Sequence, residues 1–174
     1  GGYIFTGTKK TPNSDEPWDD STSVWLVKIT SNGDILWTKT ISISDNDVAH
    51  AVLQTGDTGF IILATYNSST MLIKTDSDGD SLWSKTFGGS NVDIGRSVQQ
   101  TTDGGYIFTG QQRPRLGMYD IYLIKTDNLG DIQFHKKYDG FGSTVSGHKV
   151  AGYSVKQTYD DGYIITGEVG NGSP

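Results

Sequence analysis

The chain contains no cysteine, and this absence excludes disulfide bonds and thiolate metal sites. No apolar run approaches the roughly 20 residues that a membrane-spanning helix requires, so we predict no membrane insertion. Basic residues are also few, since 14 lysines and arginines stand against 20 aspartates and glutamates and the formal net charge is −6. A nucleic-acid backbone or an anionic membrane needs a basic surface, so we predict no nucleic-acid partner.

Helical patterning is missing as well, because no stretch combines a helical period with capping residues. The three histidines show neither HxH nor HExxH spacing, which argues against a zinc site. Glycine, in contrast, is abundant at 23 residues, nearly twice the average share of about 7%. It recurs at fixed places, which is typical of turns.

Three short phrases recur in constant order along the chain. The first, which contains an aromatic residue and glycines, stands at residues 1–7 (GGYIFTG), 57–64 (DTGFIILA), 103–110 (DGGYIFTG) and 161–167 (DGYIITG). The second stands at residues 27–40 (VKITSNGDILWTKT), 73–86 and 124–137. The third stands at residues 51–55 (AVLQT), 97–101 (SVQQT) and 154–158 (SVKQT). A period near 50 residues indicates a repeat architecture.

Each repeat predicts four short strands, with tight glycine-containing turns, mostly Asp-Gly or Asn-Gly, after the first and third strands. Loops of variable length are predicted elsewhere, among them 65–70 and 111–119 between the second and third strands. Four antiparallel strands at this period are typical of a β-propeller blade. We therefore predict an all-β fold, a β-propeller segment of about three blade equivalents in a single domain, 1–174. Its parts are a partial blade at 1–42, blades at 45–88 and 93–139, and a partial blade at 150–169.

The second phrase also carries a family resemblance. The stretch KTDSDGDSLW at residues 74–83 resembles the tryptophan-docking phrase of quinoprotein-type propellers, although its Asp-to-Gly interval is one residue shorter. Trp37, Trp83 and Phe134 each follow their turn glycine by four residues. The recurring aromatic residues are predicted to form the core between neighbouring sheets; they are Tyr3, Phe60, Tyr106, Trp37 and Trp83. The whole repeat is similar to the GGYI-TG…LIKTD-GD-W-KT propeller repeats of secreted and surface proteins of bacteria and archaea. The resemblance implies an extracellular or cell-surface location and a role in adhesion or binding.

The strand count bears on how a ring could close. Propellers have about 4–8 blades, so this chain would be part of a larger ring or would associate with further copies. The second strand type is present four times and the third and fourth types three times, which favours a segment of a longer protein, with sequence upstream of Gly1. Unpaired strands at both ends would expose open edges and allow self-association.

The variable connections are predicted to emerge on one face of the sheets, where recognition usually resides. Their aromatic, arginine and carboxylate residues suit a protein or carbohydrate ligand. The candidate ligand-binding residues are Trp18, Asp19, Asp20, Tyr66, Asn67, Arg113, Arg115, Tyr119, Phe141 and His148.

Two weaker sites are suggested by short patterns. Asp76, Asp78 and Asp80 alternate like the start of a calcium loop, but no distal Glu follows and a hairpin turn explains the same residues. We therefore predict no cofactor, with calcium as the alternative. Asn67 and Asn171 stand in glycosylation sequons.

The functional interpretations remain three. The first is a non-enzymatic binding or scaffold module. The second is a fragment of a glycosidase-like propeller hydrolase whose active site lies in blades not present here, although the Asp-box spacing of sialidases is not matched. The third is a purely structural, self-assembling repeat array.

Overall fold

A computed structural model describes residues 1–12, 21–88, 92–115, 118–138 and 149–170, and these form strands and turns only. The thirteen strands, in chain order, are β1 (Gly2–Thr11), β2 (Ser21–Thr30), β3 (Ile35–Ile41), β4 (Val48–Gln54), β5 (Phe60–Tyr66), β6 (Ser69–Thr75), β7 (Ser81–Phe87), β8 (Asp93–Gln100), β9 (Tyr106–Arg115), β10 (Met118–Thr126), β11 (Ile132–Tyr138), β12 (Lys149–Gln157) and β13 (Tyr163–Gly170). Within these ranges there is no helix long and apolar enough to cross a membrane.

The strands form four antiparallel sheets in chain order. Their strand orders are β1-β2-β3, β4-β5-β6-β7, β8-β9-β10-β11 and β12-β13. The predicted all-β class is therefore confirmed, as are the three-, four-, four- and two-stranded sheets expected from the repeats. Neighbouring strands in each sheet are consecutive in the chain and pair antiparallel.

Two of the connections predicted to be loops are mostly strand. β5 and β6 pair as far as Tyr66 and Ser69, and a two-residue turn with φ of 44° at Asn67 joins them. β9 and β10 likewise continue their pairing into the stretch predicted as a loop at 111–119. The loop prediction was wrong here because it followed the end of the apolar repeat, whereas the main-chain hydrogen bonds of a hairpin continue through polar residues.

The turns use glycine for two different reasons. Gly79 and Gly130, in the turns before β7 and β11, have φ of 82° and 81°, a region that favours glycine. In the turn between β4 and β5 the positive φ belongs to Thr58, at 70°. Gly59 is needed there because a Cβ atom would collide with the carbonyl oxygen of Thr75.

The described chain divides into two compact units, Gly1–Thr86 and Phe87–Pro174. In unit 1 the sheet β1–β3 packs on the sheet of β4–β7. Trp37 of β3 lies against Phe60 of β5 with ring centroids 5.8 Å apart at 70°. The indole also approaches Gly79 so closely that a Cβ there would meet it at 3.0 Å. The buried cluster consists of Val24, Leu26, Phe60, Ile62, Ala64, Met71 and Ile73.

Unit 2 repeats this arrangement with the sheets β8–β11 and β12–β13. Phe134 of β11 takes the place of the tryptophan and lies 6.0 Å from the ring of Tyr163. Ile107, Leu123 and Val155 are buried beside this pair. The prediction that the recurring aromatic residues pack one sheet on the next is confirmed for these two contacts, and such pairs contribute about 0.5–1.5 kcal/mol beyond their buried area.

One recurring aromatic residue does not follow this pattern. Tyr3 of β1 is 63% exposed, whereas its repeat equivalents Phe60 and Tyr106 are 1% exposed. Phe5, two residues further along β1, is 44% exposed. The expectation that Tyr3 is a core residue was therefore wrong. Sequence repetition predicts equal burial only where each sheet has a neighbour on the same side.

A buried lysine pairs with a turn aspartate in each four-stranded sheet. Lys74 Nζ lies 2.9 Å from Asp57 Oδ2, and Lys125 Nζ lies 2.8 Å from Asp103 Oδ2. Lys125, only 3% exposed, also donates to the carbonyl of Thr126 and to Gln133 Oε1. Hydrogen bonding to this ammonium group is the main cause that lowers the pKa of Asp103 to about 2. These pairs tie each turn between the first two strands to the third strand.

Candidate functional site

Several predicted ligand-binding residues lie outside the described residues. They are Trp18, Asp19, Asp20, Phe141 and His148, together with the sequon residue Asn171. The backbone of Arg115 ends β9, but its side chain is not among those described. Of the remaining predicted residues, Tyr66 and Asn67 lie in unit 1 and Arg113 and Tyr119 lie in unit 2.

In unit 1 the structure places Tyr66 and Asn67 at the end of the β5–β6 hairpin. Tyr66 is half-buried and packs against the hydrophobic cluster of that unit, so packing accounts for its ring. Asn67 is exposed in the turn, where a sequon asparagine would be accessible. Glycosylation at Asn67 stays a prediction.

The three aspartates proposed as calcium ligands serve a hairpin turn. Asp76 Oδ1 accepts hydrogen bonds from the backbone amides of Asp78 and Asp80, at 3.0 and 2.9 Å. Asp80 Oδ1 is also 2.6 Å from Lys39 Nζ. Across the described ranges, no group of three or more His, Cys, Asp or Glu residues could hold a metal ion. These contacts favour the turn interpretation over the calcium interpretation.

A β-bulge recurs at the equivalent position of β4, β8 and β12. In β4 the register shifts between Ala49 and Ala51, in β8 between Gly95 and Ser97, and in β12 between Gly152 and Ser154. An extra residue in one strand bends that strand and re-aims its side chain, a device common beside functional sites. The bulged residues are His50, Arg96 and Tyr153, three side chains of different chemistry in one backbone frame.

Each bulged side chain reaches a residue on the neighbouring second strand. His50 Nε2 lies 2.7 Å from Thr65 Oγ1 in unit 1. In unit 2, Arg96 Nη2 donates to Gln111 Oε1 at 3.4 Å. In the third pair, also in unit 2, the Tyr153 hydroxyl donates to Glu168 Oε2 at 2.7 Å, which is a shorter hydrogen bond than the one from Arg96. This bond is the main cause that raises the pKa of Tyr153.

In unit 2 the bulge of β12 borders an open cavity of about 350 Å³, which we call the bulge cavity. Its described lining consists of Gln111, Tyr119, Val150, Ala151, Tyr153 and Glu168. They lie at the carboxyl-terminal ends of β9 and β13 and the amino-terminal ends of β10 and β12. Antiparallel pairing brings those ends together, which is the face that the variable connections were predicted to share.

Two arginines stand over the tyrosines of the bulge cavity. The guanidinium of Arg96 is 5.6 Å from the ring centroid of Tyr153, and that of Arg113 is 5.8 Å from the ring centroid of Tyr119. Cation–π contacts of this kind contribute about 0.5–1 kcal/mol at exposed positions and hold both partners in place. Tyr153 remains 47% exposed.

The cavity contains one predicted residue, Tyr119, with Arg113 beside it. The sequence analysis did not select Arg96, Gln111, Tyr153 or Glu168, although Gln111 lies in the stretch predicted as a loop at 111–119. A signal was present, since a glycine precedes the bulged residue in GRSVQQT at 95–101 and GYSVKQT at 152–158. A glycine at that position of an otherwise regular strand is typical of a bulge or a close backbone approach.

No protein-family model matches the chain, and no curated protein matches it. The interpretation of the bulge cavity therefore depends on its own chemistry.

Proposed function

We propose that the chain is a non-enzymatic recognition module of an exported or cell-surface protein, and that a glycan or protein ligand binds at the bulge cavity. The observation that supports this most is the cavity itself. Two tyrosine rings, an amide and a carboxylate converge there from four strand ends. Binding sites commonly combine aromatic side chains with a few placed polar groups on a rigid scaffold, as they do here.

The cavity favours binding over glycoside hydrolysis. Hydrolysis by the usual mechanisms needs two carboxyl groups about 5–10 Å apart, one acting as an acid and one as a base or nucleophile. Among the described lining residues only Glu168 carries a carboxylate. The hydrolase alternative predicts that a full-length parent protein, which would supply the remaining blades, turns over members of a glycoside panel in a release assay.

We infer that the four sheets are successive blades of a β-propeller. The support is that both units repeat one packing mode, in which an outer-strand ring lies on the second strand of the next sheet. Trp37 on Phe60 and Phe134 on Tyr163 are the two instances. This mode also accounts for the resemblance to tryptophan-docking repeats.

The recognition proposal is tested by probing one array of glycans and one of cell-surface proteins with labelled full chain. Tyr119→Ala removes a ring of the cavity, and Tyr159→Ala removes a fully exposed tyrosine from the turn between β12 and β13. We expect the first variant to weaken binding about 10-fold or more, as loss of an aromatic contact does, and the second to leave it unchanged. Binding that both variants retain at full strength would contradict the proposal.

A second candidate function is self-assembly into a repeat array. It is favoured by the exposure of Tyr3 and Phe5, whose repeat equivalents Phe60 and Ile62 are buried in unit 1. Sedimentation at increasing concentration should then show a rising mass for the wild type and a lower mass for Phe5→Ser. A wild-type chain that stays monomeric throughout would exclude this candidate.

A further inference from the structure

The bulge cavity offers polar groups of both kinds to a ligand. Glu168 uses Oε2 to accept the Tyr153 hydroxyl, which leaves Oε1 as an acceptor without a partner in the described part of the chain. Gln111 accepts from Arg96 through Oε1, which leaves its amide nitrogen as a donor. The Tyr119 hydroxyl, which can donate or accept, likewise has no described hydrogen-bond partner. A ligand that satisfies all three must both donate and accept hydrogen bonds.

The rest of the lining is apolar. Val150 and Ala151 are buried and line the cavity, and the Tyr153 ring is half exposed beside them. A ligand with a weakly polar C–H face would cover these groups, while its hydroxyl groups reach the polar ones. A volume of about 350 Å³ lies at the lower end of ligand pockets and suits a small molecule or the end of a chain.

The charged groups at the cavity are of both signs. Glu168 is the one charged residue in the described lining, so a carboxylate or sulfate would approach a like charge. Arg96 keeps its charge while it donates to Gln111 and lies over the Tyr153 ring, so it offsets part of that repulsion. A strongly cationic ligand would be opposed in turn by Arg96 and Arg113 at the two rings.

We propose that the bulge cavity binds a small neutral saccharide, with vicinal hydroxyl groups on Glu168 and Gln111 and a C–H face on the Tyr153 ring. This inference rests on the proposed recognition function and names its ligand class. The Tyr153–Glu168 pair is the specificity-determining feature. The bulge fixes the ring, and the ring hydroxyl fixes the carboxylate so that its second oxygen points to the ligand's place.

The experiment measures binding of the full chain to neutral, carboxylated and sulfated glycans on one array, followed by calorimetry with the best neutral oligosaccharide. Glu168→Gln keeps the shape of the side chain but replaces a charged acceptor, and we expect about a 10-fold weaker affinity. Tyr153→Phe keeps the ring and frees the carboxylate, so a smaller loss of about 3-fold is expected. Thr65→Ala alters the equivalent pair of unit 1 and should leave the affinity unchanged.

The outcomes separate this inference from the recognition proposal. Neutral-glycan binding that Glu168→Gln weakens and Thr65→Ala does not would support both. Binding restricted to acidic glycans or to proteins, yet weakened by Tyr119→Ala, would overturn the saccharide class and leave the recognition function standing. Absence of any cavity-dependent binding on either array would overturn both. Circular dichroism of each variant, compared with the wild type, ensures that a loss of binding is not a loss of fold.

Discussion

Replacing Asp103 with asparagine should destabilise unit 2, because it leaves the ammonium group of Lys125 buried without its carboxylate. Lys125 Nζ would retain the Thr126 carbonyl and Gln133 Oε1 as neutral acceptors. The lowered pKa of Asp103, about 2, sets a limit near 2.5 kcal/mol for the favourable interaction. The Asp103 side chain is 52% exposed, which reduces that value, whereas an unpaired buried lysine adds to the cost. We expect a loss of about 2 kcal/mol in the free energy of unfolding.

Asp160→Asn provides a matched control within the same unit. Asp160 occupies the equivalent turn and accepts hydrogen bonds from Thr158 Oγ1 and the Gly162 amide. Asp103 accepts the equivalent two from Thr101 Oγ1 and the Gly105 amide. Unlike Asp103, Asp160 contacts no lysine in the described chain. Its replacement should cost about 0.5 kcal/mol or less. Urea unfolding monitored by amide hydrogen exchange in β8–β11 measures both variants. Equal losses for the two would refute the reasoning that the buried lysine makes the turn aspartate important.

Three further results follow from the packing. The stability difference between wild type and Asp103→Asn should be full at pH 6 and shrink as the pH falls from about 4 towards 2. A carboxyl group with a lowered pKa contributes its full stability only above the pKa that it has in the unfolded chain. Denaturant titrations across this pH range measure the difference. Trp37→Ala should cost about 2–3 kcal/mol in urea unfolding and Leu36→Ala, 58% exposed, under about 0.5. Gly105→Ala should lower the melting temperature more than Gly33→Ala. A Cβ atom at position 105 would collide with the Thr126 carbonyl oxygen, whereas one at position 33 has open space and only the positive φ is unfavourable.

The sequence was sufficient to predict the strands and their grouping. Alternating apolar residues and glycine-containing turns depend on local backbone preferences, and these recur in every copy. The packing of Trp37 on Phe60 was predictable too, because a large ring that recurs at the same distance in sequence from a turn glycine needs a partner in the neighbouring sheet.

The sequence could not reveal which copies have neighbours. Tyr3 and Phe60 stand in the same phrase, but their burial depends on whether another sheet covers them. For the same reason the extent of hairpins such as β9–β10 was underestimated. Main-chain pairing continues without apolar side chains, and residue types alone do not show where it ends.

The candidate site was predictable only in part. The shared face follows from antiparallel topology, and Tyr119 and Arg113 were chosen from it. Tyr153 and Glu168 were missed because a bulge changes the direction of one side chain without changing the alternation around it. Their pairing depends on a register shift between Gly152 and Ser154, which only coordinates define.

The most direct test of the account is an amide chemical-shift titration of the full chain with the best-binding glycan or protein. The account predicts that the largest changes occur at Gln111, Tyr119, Val150–Tyr153 and Glu168, with saturation at one site. Changes concentrated instead at the opposite turns of unit 2, around Gly104 and Gly130, would contradict recognition at the bulge cavity.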